Sequence, residues 1–486
     1  MSVLGIDVGT STCKGIVIDA EGKVLAKKQC VYLEKPKLEN NKAYISAQVF
    51  VDSAFSIIRE LALSVKKEDA IEAIAFSTHG ETLILVDKSG NAVSPAILSM
   101  DRRCLLETQL LEKEIGKEAF YSICGTPIHT QYPVPKLTWF KNNDELTFAK
   151  AEKYCTVQDY LHGKLGVGYF VDYSLASRFG GFDVKKRSWS DEILSVSSIK
   201  SSKFSTPVPS GTVIGIIPSA IAKSLCLEDN VLVVAGGHDQ PCAALVMGAE
   251  KGKMTVSAGS YECASIVTDK PLNDLNGLKY GLNSYCHVIN DKYITLAFFA
   301  SGLIINWFVE KLCPFLESGD KKIYSILEDM APKTNTGICF TPHLYGSMNP
   351  RWDDTAKATI TGLTGEMNLG HLYKAVMEGT ACELNLNLSV LEDLSDKIEK
   401  VILCGGGTKS DTWMQVRADI LNKPLYRIEG DIDASCIGAA ILAGIGKKTF
   451  VDYKQAIDKI KYRLTEFLPI NASMYSEQKE SYSKTI

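Results

Sequence analysis

The chain has 486 residues, 45% hydrophobic and 23% charged, and 53 Lys and Arg stand against 57 Asp and Glu for a net charge of −4. That length exceeds a single hydrophobic core and points to two lobes. The ordinary composition and slightly acidic balance argue against nucleic acid or an anionic membrane as partner.

No apolar run reaches the roughly 18 residues of a membrane-spanning helix, and the N-terminus enters a strand with no basic and apolar leader. The fourteen cysteines are scattered from Cys13 to Cys436 without a Cys-x-x-Cys or Cys/His cluster. They read as small buried thiols of a protein in the reducing cytoplasm.

Leu4, Ile6 and Val8 alternate with Gly5 and Asp7, the period-2 pattern of a half-buried strand. Gly9, Thr10, Ser11, Thr12 and Lys14 follow, then a second apolar run through Ile18. The spacing predicts a hairpin whose turn gathers backbone N–H groups, hydroxyls and a cation, with the Asp7 carboxylate one step behind. Such a turn suits nucleotide phosphates and the Mg²⁺ that travels with them. It equally fits a plain tight turn built from Gly and hydroxyl residues. Asp7 favours the ligand, because a carboxylate inside an apolar strand is costly unless it is paired or faces an ion. A turn at Ala20–Lys23 leads to a third strand, Val24–Val31. Three antiparallel strands in a row exclude the strand–helix–strand opening of a Rossmann or P-loop domain.

The pattern then predicts a helix over 46–66, a strand Ile71–Ser77, a hairpin turn at 86–91, and helices over 104–116 and 135–142. Mixed structure follows, ending in Ser188–Leu194, and Ser201–Gly211, rich in Pro, Ser and Thr, reads as loop. The apolar strand Val231–Ala235 runs into Gly236-Gly237-His238-Asp239-Gln240. This places Asp239 at a sheet's carboxyl edge, where clefts form in α/β proteins. Asp239 also fits the N-cap of a helix over 241–248, with Pro241 at its first position, and both roles can hold at once. His238 reads as a packing or orienting residue, since no second metal ligand lies nearby.

Lys253–Ser257 and Glu262–Thr268 flank Ala258-Gly259-Ser260-Tyr261, repeating the design of the opening hairpin. Val401–Cys404, Gly405-Gly406-Gly407 and a helix over 410–421 make a third glycine-rich turn, which lets a flat or anionic ligand approach the backbone. Two lobes of similar topology, 1–246 and 247–486, are therefore expected, each donating a loop to one cleft. Two motifs are decoys. Gly444–Thr449 has Ile441 where a Walker A loop needs Gly, and Asn471-Ala-Ser473 matches a glycosylation acceptor without a secretion signal.

Further motifs fall between these turns: Ser77-Thr78-His79-Gly80, Asp101-Arg102, Pro135–Trp139, Gln158-Asp159-Tyr160, Asp172–Ser177, Phe182-Asp183 with Trp189-Ser-Asp191, Ser301-Gly302 with Asn306-Trp307, Trp352-Asp353 and Asp433–Ala440. In this order and spacing, from residue 3 to about residue 446, the chain resembles the FGGY family of sugar kinases, within the larger group that shares the actin and Hsp70 ATPase fold. The resemblance implies an α/β fold of two ribonuclease H-like (actin/hexokinase-type) lobes with an interlobe cleft. The N-terminal lobe would take sugar and phosphate, and the C-terminal lobe the adenine nucleotide.

It also implies roles. ATP and Mg²⁺ would be the cofactors, with Asp7 and Asp239 at the metal, Asp7 through water. Gly9, Thr10, Ser11, Thr12, Lys14, Gly259 and Ser260 would grip the phosphates, with Gly302 and Asn306 close by. Gly405, Gly406 and Ser410 would line the adenosine pocket. Asp239 would be the catalytic base, and His79, Gly80, Asp101, Arg102 and Gln240 would meet the sugar together with it. The implied acceptor is a xylulose-like ketose or polyol. Ribulose, fuculose, erythritol or erythrulose, and glycerol are alternatives, as is an actin-like ATPase without a sugar; a homodimer is left open. Departures from the xylulokinase pattern lie at Thr78, at Ser99-Met100 before Asp101, at His238 and at Gly259-Ser260-Tyr261, and they leave the sugar's identity unfixed.

Overall fold

In the computed structural model, which describes residues 2–314, 322–430 and 432–485, the opening strands β1 (Ser2–Val8) and β2 (Thr12–Asp19) form the expected hairpin. Asp7 pairs opposite Lys14, and β3 (Val24–Val31) continues antiparallel. Helix α1 (Gln48–Ser64) buries Phe50, Val51, Ala54, Ile57, Ile58 and Leu61, one stripe at helical spacing, against this sheet. Strands β4 (Ile71–Thr78), β5 (Val213–Ile216) and β6 (Leu232–His238) complete six strands in the order β5-β6-β4-β1-β2-β3.

Strand β6 runs three residues beyond its apolar stretch, through two glycines. Its register against β4 shifts between Val234 and Gly237, and a Cβ on Gly236 would lie 1.9 Å from the Phe76 carbonyl oxygen. Only glycine lets the two backbones approach so closely at the bulge. Helix α2 then starts at Asp239 and ends at Val246, with His238 as its N-cap. Asp239 is thus the first helical residue and not the cap, and Pro241 sits two positions further in. The segment Ser201–Gly211 is likewise not all loop. Thr206–Val208 pairs in parallel with Phe170–Asp172, and Pro207 is accommodated because this ladder has only two strands.

The second sheet has seven strands: β7 (Lys253–Ala258), β8 (Tyr261–Thr268), β9 (Asn283–Cys286), β10 (Tyr293–Ala300), β11 (Lys400–Cys404), β12 (Leu425–Ile428) and β13 (Leu464–Phe467). Their order is β9-β10-β8-β7-β11-β12-β13. With β9 set aside, the two sheets share one plan. An antiparallel three-strand meander (β1-β2-β3; β7-β8-β10) is joined to two parallel strands (β4, β6; β11, β12) and closed by an antiparallel edge. The edge strand comes before its partner in the first sheet, as β5, and after it in the second, as β13. Helices α3 (Gly302–Leu312), α4 (Leu369–Leu394) and α5 (Asp411–Leu421) flank the second sheet.

The last long helix, α6 (Ala434–Lys447), follows the second sheet's parallel strands yet packs on the first sheet. Val3, Ala73, Ala75 and Val234 share one buried cluster with Ile437, Ala440, Ile441 and Cys242. Backbones nearly touch there: a Cβ on Gly5 would lie 2.0 Å from the Cys436 carbonyl oxygen, and one on Gly438 would lie 2.3 Å from that of Cys242. The decoy Gly444–Thr449 is the C-terminal end of α6, turned by a left-handed Lys448, and not a phosphate loop. All fourteen cysteines are free thiols, and all but Cys30 and Cys226 are buried. Among the described residues no helix is long and apolar enough to cross a membrane.

Gly5→Ala is expected to destabilise the fold by about 3 kcal/mol, the cost of overpacking against a backbone that cannot retreat. Gly406→Ala, whose Cβ would meet nothing within 4 Å, is expected to stay within ~0.5 kcal/mol of the parent. Urea unfolding without nucleotide measures both.

Candidate active site

Three neighbouring strand ends create the site. Asp7 on β1 pairs with Ser77 on β4, and Ser77 pairs with Gly237 on β6, so the bulged glycines deliver Asp239 to the same carboxyl edge. The Ser77 hydroxyl donates to Asp7 Oδ1 at 3.0 Å. Burial lifts the Asp7 carboxyl to about 6, with Ser77 and Lys14 pulling it back. The turn after β1 closes through the Gly9 N–H, which donates to the Thr12 carbonyl at 2.9 Å, while the Tyr32 hydroxyl donates to the Gly9 carbonyl at 2.9 Å. Thr10 and Ser11 stand exposed at its tip. Lys14 Nζ reaches Asp433, just ahead of α6, at 2.6 Å. Burial works to lower the ammonium's pKa, but the Asp433 bond and charge prevail and raise it.

Asp239 Oδ1 is buried with no hydrogen-bond partner, although the carboxylate as a whole keeps 27% exposure. His238 Nε2 lies 3.2 Å from that oxygen without the geometry of a hydrogen bond. Burial, with the negative charges of Asp7 and Glu81 adding to it, pushes the Asp239 carboxyl up to about 8; the Gln240 backbone and Arg178 oppose this. His238 is pushed down to about 3, mainly by burial, so its ring is neutral. Its Nδ1 shares a 2.7 Å hydrogen bond with the Tyr285 hydroxyl, and its backbone N–H donates to Ser174 Oγ. Ser174 in turn donates to the buried Asp172. Gln158 bridges the Phe76 carbonyl and the Asp172 N–H. The Gln158 and Asp172–Ser177 motifs thus hold the ends of β4 and β6 rather than facing a ligand.

The residues expected on the sugar side are largely engaged by the protein itself. His79 Nδ1 lies 2.9 Å from the Val8 carbonyl, which can only accept, so Nδ1 carries the proton and Nε2 accepts from the Thr82 hydroxyl at 2.8 Å. Asp101 is fully buried and takes a bidentate grip from Arg103, plus the Arg103 and Ala43 N–H groups. These four bonds fill a carboxylate's acceptor sites. Arg102 is exposed, and Gln240 half-buried beside Asp239. Gly80 leaves room for its neighbours: a Cβ there would come within 3.2 Å of both Arg178 and His238.

A buried polar group that no motif announces lies beside Gly80. Arg178 pairs with Glu81, donates to Asn283 at 3.1 Å and lies over the Tyr285 and Tyr132 rings. Lys136 is fully buried and donates to the carbonyls of Glu81, Leu98 and Gln131 at 2.6–3.1 Å, and burial pushes it down to about 8. Glu81 sits at positive φ directly after Gly80. Charged residues inside or directly after motif segments (Lys136 in Pro135–Trp139, Arg178 after Asp172–Ser177) are the signal that points to them.

In the second lobe the remaining turns are stitched together. The Gly302 and Leu303 N–H groups at the start of α3 donate to the Gly259 and Ser260 carbonyls at 3.2 and 2.9 Å. Asn306 is exposed one turn along α3. Gly405, at φ +109°, abuts the end of β7: a Cβ there would lie 2.6 Å from the Ala258 carbonyl oxygen. Gly406 is open, and Ser410 Oγ caps α5 by accepting from the Trp413 N–H at 3.0 Å. The expected groups Gly259–Ser260, Gly302 and Gly405–Gly406 therefore form one neighbourhood. Asp433, which holds Lys14, ties the first turn to the start of α6.

Comparison with known proteins shows the family. Residues 2–246 match the model of the N-terminal domain of the FGGY family of carbohydrate kinases, and residues 254–446 match that of its C-terminal domain. The chain is 25% identical over 457 residues to a xylulose kinase of Staphylococcus xylosus, covering 93% of this chain and 92% of that one. It is 25% identical over 455 residues to a gluconokinase of Bacillus subtilis, covering 90% and 86%. An L-fuculokinase of Escherichia coli O157:H7 is 26% identical over 486 residues, covering 98% and 99%. The fold superposes on a gluconate kinase of Lactobacillus acidophilus with a TM-score of 0.90 at 22% identity, covering 100% of this chain and 97% of that one. From domain matches spanning both lobes, we conclude that the chain belongs to the FGGY family of carbohydrate kinases.

Proposed function

We propose that this sugar kinase transfers the γ-phosphoryl group of ATP to a hydroxyl of a small ketose, polyol or related sugar acid, with Asp239 as general base. The reading is carried by one observation: the Asp239 carboxylate, with an unpartnered oxygen, stands at the same sheet edge as Asp7 and the first phosphate turn. On this reading residues 1–246 form the sugar and phosphate lobe and 247–486 the nucleotide lobe. The cleft between them receives ATP on Gly9–Thr12, Lys14, Gly259–Ser260, Gly302, Gly405–Gly406 and Ser410.

The donor set fits Mg²⁺. The negative charge of Asp7 helps raise the Asp239 carboxyl, and among the described residues no cluster of three or more metal-binding side chains is present. A nucleotide's Mg²⁺ is typically held by one or two carboxylates, with phosphate oxygens and water supplying the rest. Bound there, the ion would neutralise phosphate charge and draw Asp239 toward its ionised form.

Asp239 then accepts the proton of the sugar hydroxyl as that oxygen attacks the γ-phosphorus in line and ADP departs. Lys14, held by Asp433, contributes positive charge to the phosphates, and positioning and charge neutralisation supply most of the rate. His238 keeps its proton on one nitrogen through Tyr285 and fixes the wall beside the base without charging it. Lobe closure would exclude water as a competing acceptor.

Xylulose kinase, gluconokinase and fuculokinase relatives at similar identity leave the acceptor open among their sugars.

Asp239→Asn is expected to lower sugar phosphorylation by roughly 10²–10⁴-fold, the usual worth of a general base, while MgADP still binds through Asp7 and the glycine turns. Calorimetric titration beside steady-state rates checks both, and full activity in the variant contradicts the assignment. A second expectation concerns pH. The folded-state pKa of Asp239, about 8, lies above its ordinary 3.8, so stability is lost as pH rises through that interval. Asp239→Asn should therefore match the parent's melting temperature near pH 4 and exceed it near pH 9 in the absence of nucleotide. A constant difference across that range would contradict the shift.

A further inference from the structure

Glu262 and Arg417 form an ion pair with 1% exposure on each side chain, deep in the second lobe. Three of its connections lead to the proposed nucleotide turns. Glu262 is the second residue of β8, directly after the Gly259–Tyr261 turn. Its Oε1 accepts from the Ser301 hydroxyl at 2.7 Å as well as from Arg417 Nη2. The other amino group of the fork, Nη1, donates to the Gly407 carbonyl at 3.1 Å, inside the third glycine turn. Arg417 lies 4.0 Å from the centre of the Trp413 ring, and the Trp413 indole N–H donates to Thr380.

Ser301 shows what this arrangement displaces. It occupies the N-cap of α3, yet its side chain makes no capping bond and is instead turned to Glu262, to which its hydroxyl donates. The Gly302 and Leu303 N–H groups are met instead by the Gly259 and Ser260 carbonyls. A local rule for helix starts is broken so that α3 and the hairpin turn lock to one carboxylate. Such a buried pair adds little stability, since apolar residues of similar volume commonly replace one at no cost. Geometry is the remaining reason for it: the planar guanidinium fork fixes two acceptors at once, which an ammonium does not.

We infer that Glu262 and Arg417 are positioning residues for nucleotide, holding the Gly259–Ser260 turn, the start of α3 and the Gly405–Gly407 turn in one register. This rests on the nucleotide reading of those turns. The test is calorimetric titration of the full chain with MgADP. Failure of the parent protein to bind MgADP would overturn the nucleotide reading itself and is distinct from failure of the pair. With the parent binding, the double variant Glu262→Leu/Arg417→Met is expected to melt at or above the parent's temperature yet bind MgADP more than fivefold more weakly. A loss of fivefold or less overturns the inference. If the double variant does not fold, Arg417→Lys decides: it keeps the charge but not the fork, and it too is expected to lose more than fivefold, with retained affinity again overturning the inference.

Discussion

Two carboxylates that repel each other, Asp7 and Asp239, are brought to one sheet edge, and much of the first lobe can be read as the means of holding them there. Asp7 is delivered by a parallel neighbour relationship with β4. Asp239 is delivered by a glycine bulge that carries β6 past the end of its apolar stretch. Neither oxygen set is neutralised by a cation directly bonded to it. Lys14, which acts on Asp7, is bonded to Asp433, and Arg178, which acts on Asp239, is committed to Glu81. The edge is left electrostatically unfinished, a state that a cation and a phosphorylated ligand would complete.

The same logic explains the seam between the lobes. α6 follows the second sheet's parallel strands but is buried on the first sheet, with Gly5 and Gly438 allowing backbone contact. Asp433 sits directly before this helix and Lys14 on β2 reaches it. The opening hairpin is thereby tied to an element that also shares a buried cluster with Ile402, Cys404 and Ile428 of the second sheet.

Much of this was legible in the sequence because it rests on local rules. Period-2 alternation gave β1 and β2, glycine and hydroxyl turns marked all three loops, and Gly236-Gly237-His238-Asp239 announced a strand ending in a carboxylate. What escaped depends on distant partners. That His79 and Asp101 would be saturated by Val8, Thr82 and Arg103 follows from loop packing, which no spacing encodes. Asp239 read as a helix cap because local preference favours Asp there, yet the bulge shifts the helix start so that His238 takes the cap. The Glu81–Arg178 and Glu262–Arg417 pairs join residues some 97 and 155 positions apart, beyond the reach of any motif. Nor does sequence or fold choose the sugar, since the polar groups lining that side are mostly turned inward on one another.

On the proposed function, ADP formation is tied to a hydroxyl-bearing acceptor. The most direct measurement is ADP release from MgATP by the full chain across a panel of ketoses, polyols and sugar acids that includes xylulose, fuculose, gluconate and glycerol. At least one acceptor is expected to stimulate release well above the rate without sugar and to be recovered phosphorylated. ATP hydrolysis indifferent to every acceptor would contradict the proposed function and favour an ATPase that works by conformational change alone.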